Sequence, residues 1–118
     1  MIQQDVLQNL FQVRRDLENR LMDLTPDGDP TKIQQYADLQ RKRDQVFMTI
    51  NQVIAADFNE VFGQDVETAL KDLAVETSSI QKLATTFQSI NDVIAKVDGV
   101  IKIVQDVVTK AAKVLASA

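Results

Sequence analysis

The chain has 118 residues, 45% of them apolar and 25% charged, with 13 basic against 17 acidic side chains and a formal net charge of -4. That length suits a single domain burying roughly two-thirds of the surface its unfolded chain exposes, and three glycines and two prolines leave little material for a turn-rich β fold or a disordered segment. Cysteine and histidine are both absent, which removes disulfides, thiolate zinc sites, cysteine nucleophiles, Ser-His-Asp triads and the Glu-x-x-His metal motif.

Apolar residues at Ile2, Val6, Leu10, Val13, Leu17, Leu21 and Leu24 recur in steps of three and four and predict a helix over 2–24. Thr25-Pro26-Asp27-Gly28-Asp29-Pro30 gathers both prolines and a glycine, so 25–30 reads as a loop of the length that joins antiparallel helices. Thr31 with Gln34 three residues on has the form of a capping box opening a second helix over 31–62. Its expected apolar side carries Ile33, Tyr36, Leu39, Val46, Phe47, Ile50, Val53, Ile54, Phe58 and Val61.

Gly63 fits the left-handed position past a helix end and Asp65, with Glu67 behind it, fits an N-cap, giving a bend at 63–64. A helix over 65–117 is then expected, with Val66, Leu70, Leu73, Ile80, Leu83 and Phe87 on its stripe and its weakest stretch, where a kink would fall, at Thr77-Ser78-Ser79. Asp98-Gly99 looks like a turn. Yet Leu83, Phe87, Ile90, Ile94, Val97, Ile101, Val104, Val108, Ala111 and Leu115 keep an unbroken four-three alternation across it. With Phe87 at heptad position a, Gly99 falls at f, and a mid-helix glycine costs only about 1 kcal/mol against alanine. A continuous rod from near Ser79 to near Ser117 follows.

The g positions are Val93, Val100, Val107 and Val114, so a, d and g together form an apolar face suited to several neighbours. β-branched residues at a and d favour trimers or tetramers, or the inside of one bundle. A C-terminal half able to supply about 50 helical residues outruns the two preceding helices of about 23 and 31, and surplus apolar surface marks a contact. Val93, Val97, Val100, Ile101, Val104, Val107, Val108 and Val114 are therefore the candidate partner-binding residues, for a homo-oligomer or a helical protein partner.

All five arginines, Arg14, Arg15, Arg20, Arg41 and Arg43, lie in the first two helices. The interleaved Asp16, Glu18, Asp38 and Asp44 and the negative net charge argue against nucleic acid, which needs an uncompensated basic face. Arg43 and Asp57 interrupt the apolar side of the second helix, about 20 Å apart. Each is expected in a structural ion pair, Arg43 with Asp16 and Asp57 with Lys71, or, for the arginine, with its stem packed and its head reaching water. No spacing among the acidic residues singles out a catalytic pair, so no enzyme activity, cofactor or metal is expected.

Met1-Ile2-Gln3-Gln4-Asp5 lacks the form of a secretory signal, and the longest uncharged stretch, Gln45 to Ala56, falls short of the roughly 20 residues of a transmembrane helix. A soluble, by default cytoplasmic, protein is expected. These readings converge on an all-α, up-and-down helical bundle with a long coiled-coil-like C-terminal helix, acting as a non-catalytic assembly or protein-protein interaction module. The alternative is a membrane-active helical protein, pore-forming or binding the membrane surface, because Val100 to Leu115 sets an apolar arc against Lys102, Lys110 and Lys113.

Overall fold

The first apolar stripe forms α1, Ile2–Asp23, in a computed structural model that describes residues 2–56 and 64–117, with side chains over 3–56 and 66–110. Val6, Leu10, Val13, Leu17 and Leu21 are its buried positions. The loop turns at Asp27 (φ 53°) and Gly28 (φ 79°), both in the left-handed region that glycine enters without a Cβ penalty and aspartate tolerates. The Asp29 N–H closes this turn on the Pro26 carbonyl at 3.1 Å.

Asp29, and not the Thr31–Gln34 pair, caps the next helix. Its carboxylate accepts the N–H groups of Thr31 and Lys32 at 2.9 and 3.2 Å, while Gln34 bonds Asp38. Pro30 takes the first helical position, where it loses no hydrogen bond, so α2 spans Pro30–Ala55. It ends well before the predicted residue 62. Ala56 is extended (φ -86°, ψ 150°), and the Gln3 amide donates to the Val53 carbonyl at 3.0 Å, with the Ala56 and Ile54 carbonyls at 3.4 and 3.5 Å, at the end of the helix where carbonyls lack intrahelical donors. Phe58, Val61 and the predicted bend residue Gly63 lie outside the described residues. Gln64 opens α3, Gln64–Lys82, which puts Asp65 inside the helix instead of at its cap.

The second half of the chain departs most from expectation. Helix α3 runs unbroken through Thr77-Ser78-Ser79, with the hydroxyls of Thr77 and Ser79 turned back onto the carbonyls of Leu73 and Val75 at 2.8 and 2.9 Å. The helix stops instead after Lys82. Thr86 is extended (φ -138°, ψ 159°), a short 3-10 turn follows at Phe87–Ser89, and α4 runs Ile90–Ser117. The single helix predicted over 65–117 is thus two, of 19 and 28 residues. Gly99 does lie inside α4.

Among the described residues the chain is all-helical, with four α-helices and no strand. Helix α1 packs on α2 and α3, and α4 packs on α3 and α2, contacts consistent with a bundle. Gln3 meets the end of α2, Arg20 the end of α3, and Gln35 the start of α4 through the Phe87 carbonyl. Helix direction therefore alternates along the chain, but the order around the ring is α1-α2-α4-α3, with α2 and α3 on a diagonal. The molecule measures 55 × 22 × 17 Å.

Candidate functional site

Helix α4 faces two neighbours, and this decides where its valines go. Val93, Val97, Val100, Val104 and Val107 are all at most 1% exposed, in one core with Val6, Leu10, Leu39, Val53 and Leu73. The buried seam is therefore d with g, while the a residues Ile94, Ile101 and Val108 are half-buried beside it. Five of the eight predicted partner-binding residues are covered by the chain itself. Ile101 and Val108 are half-covered, and the side chain of Val114 lies outside the described residues. The expectation of surplus apolar surface rested on one long C-terminal helix; folding back at residues 83–89 removes that excess.

The predicted ion pairs also resolve differently. Arg43 lies 3.3 Å from Asp44 at the surface, not against Asp16, and Asp57 lies outside the described residues. Asp16 belongs to Arg20, at 2.6 Å. Arg20 is only 4% exposed, and its two terminal nitrogens donate to the carbonyls of Ala84 (2.8 Å), Ile80 (2.7 Å) and Leu83 (2.9 Å). A cation at a helix C-terminus meets the negative end of the helix dipole, so α1 supplies the cap that ends α3. The sequence held a signal for this: Arg20 falls three residues after Leu17 on the core stripe and four after Asp16.

Of the seven exposed large apolar side chains among the described residues, six sit on α1 and α2: Phe11, Met22, Ile33, Phe47, Met48 and Ile54. Exposure is therefore concentrated on the α1/α2 hairpin. Ile33, Phe47 and Ile54 were expected in the core; in α2 the buried apolar side chains are those of the adjacent row, Leu39, Val46 and Val53, with Ile50. Contacts from Gln3 to Val53 and from Tyr36 Oη to the Leu21 carbonyl (2.7 Å) fix the hairpin register and bring Phe11 level with Phe47. The Arg14 guanidinium stands 5.1 Å from the centre of the Phe47 ring and 3.1 Å from Glu18, a cation–π contact joined to an ion pair. Phe11, Phe47 and Ile54 thus form an apolar ridge, each 43–57% exposed.

Toward the Pro26 turn the same face sinks into a groove of about 720 Å³, lined by Glu18, Leu21, Met22, Leu24, Tyr36 and Arg43 among others. Two further concavities lie between helices. One of about 300 Å³ between α3 and α4 carries Asp72, Asp106 and Lys110; one of about 600 Å³ between α2 and α4 carries Gln52, Gln105 and Thr109. Neither gathers the convergent buried polar groups of a small-molecule site. Among the described residues no group of three or more acidic side chains is placed to hold a metal, no buried side-chain polar atom lacks a partner, and no helix is long and apolar enough to cross a membrane. Comparison with family models, with curated proteins and with solved structures gave no match to this chain.

Proposed function

We propose that the chain is a four-helix bundle acting as a non-catalytic protein-protein interaction module, with the outer face of the α1/α2 hairpin as its binding surface. The observation that carries this reading is the exposure of Phe11, Phe47 and Ile54 on one face of a chain whose core is otherwise well covered. Exposed aromatic side chains rimmed by charge are the composition of binding surfaces, because they bury much area at little rotamer cost. The valines of α4 then hold the fold together, and their heptad register serves packing within the chain.

The membrane reading has less support. Val100, Val104 and Val107, the centre of the arc that would enter a bilayer, are buried against the other helices, so membrane contact through α4 requires the bundle to open.

Photo-crosslinking in cells expressing the chain tests the proposal. A photoreactive residue at Asn51, exposed between Phe47 and Ile54, should give protein adducts, while one at Lys71, exposed on α3, should not. Adducts from neither position, or from Lys71 alone, would remove the α1/α2 face as the binding surface.

A further inference from the structure

We infer that the partner of the α1/α2 face is a second copy of this chain, docked about a two-fold axis that passes near Gln40. The inference rests on the reading that this face binds protein, and three features of the face select the occupant.

The first is shape. A ridge and a groove lie on one face: Phe11 with Phe47 marks the ridge, and Met22 with Tyr36 lines the groove. Phe11 and Met22 are separated by eleven residues of α1, about 16 Å along its axis. The hairpin register places Gln40 level with the midpoint. A two-fold there carries Phe11 and Phe47 of each copy over the groove of the other, and the assembly closes at two chains.

Charge is the second. At the groove and beside it lie the pairs Arg14–Glu18 and Arg43–Asp44, with side chains 34–67% exposed, and Arg15 is exposed next to them. Both signs are present, so the face does not select a strongly acidic or basic partner. Rotation about the axis sets arginines of one copy beside acids of the other, the self-complementarity that an isologous contact needs.

Area is the third. Helix α1 has 22 residues, a length of about 33 Å, and two helices side by side are about 20 Å wide. That gives the hairpin an outer face on the order of 650 Å² in projection, a footprint large enough to supply much of the about 800 Å² of accessible surface that each partner of a specific interface buries.

The chain has no cysteine, so single thiols can be placed cleanly. Sedimentation equilibrium of the purified full chain should show a monomer-dimer equilibrium. Gln40→Cys should oxidise to a covalent dimer under conditions where Lys71→Cys stays monomeric, because a residue at the axis meets its own counterpart within disulfide reach. Phe11→Ser with Phe47→Ser should weaken dimerisation roughly a hundredfold and abolish the Gln40→Cys crosslink. A wild-type chain that stays monomeric at high micromolar concentration overturns the second copy as partner. Asn51 adducts to other proteins in that case leave the interaction reading standing, whereas their absence removes both. Open-ended larger species, or crosslinking through Lys71→Cys, overturn the two-fold arrangement.

Discussion

Arg20 and Ile80, sixty residues apart in the chain, are joined by a 2.7 Å hydrogen bond from the guanidinium to the main-chain carbonyl. With Leu83, Ala84 and Asp16 on the same guanidinium, this bond ties the end of α1 to the end of α3 and fixes the place where the C-terminal half turns back. Truncating one partner of a buried charged network leaves its other members unpaired, at a cost of about 3–5 kcal/mol. Arg20→Ala should lose stability of that order in urea unfolding. Arg20→Lys should recover only part of it, because an ammonium cannot reproduce the planar fork that reaches three carbonyls and a carboxylate. A loss under about 1 kcal/mol in Arg20→Ala, the scale of a surface pair, would show that Arg20 does not hold the α3 end.

Gly99 provides a test with the opposite sign. It lies within α4, and a Cβ added there would meet only the Glu76 carboxylate at 3.7 Å, an ordinary contact. Gly99→Ala should therefore stabilise the fold by about 0.5–1 kcal/mol, the difference between glycine and alanine inside a helix. Gly99→Pro should cost about 3 kcal/mol or more. Thermal melting of the two variants reads both effects, and a lower midpoint for the alanine variant would contradict a helical Gly99.

What the sequence made legible depended on how many neighbours each helix has and how local its boundaries are. One clean stripe, Val6 to Leu21, marked α1, and the unbroken phase around Gly99 kept that residue inside a helix while placing the start of that helix near Ser79 instead of Ile90, because both signals are local to a few turns. In α2 two adjacent heptad rows are apolar, Leu39/Val46/Val53 and Phe47/Ile54. Only tertiary packing decides that the first is core and the second is surface. The break after Lys82 was hidden because Leu83, Phe87 and Ile90 keep helical phase across it, and because the groups that end α3 come from Arg20 on another helix. The candidate surface was missed for the same reason: Phe11 stands off the stripe of its own helix, and Phe47 was counted within the stripe of another.

Val100 and Val107 separate core from interface. Both are buried within the single chain, so Val100→Lys with Val107→Lys should abolish the cooperative thermal transition, each lysine facing a penalty of several kcal/mol in an apolar interior. Circular dichroism should show most of the helix signal lost. Retention of native helix content with a change only in association state would place these valines at a contact between chains.

If the proposed assignment holds, the exposed α1/α2 face serves binding while the α4 valines serve folding. The two roles separate in the thermal midpoint of Phe11→Ser with Phe47→Ser, recorded beside the sedimentation profile of the same sample. Both side chains are already 43–47% exposed, and surface substitutions of this kind usually change stability by less than about 0.5 kcal/mol, or somewhat more where half the ring is covered. The predicted result is a midpoint within a few degrees of wild type, together with loss of the dimer. Collapse of the midpoint, or an unchanged sedimentation profile in which the wild-type dimer persists, would contradict the claim.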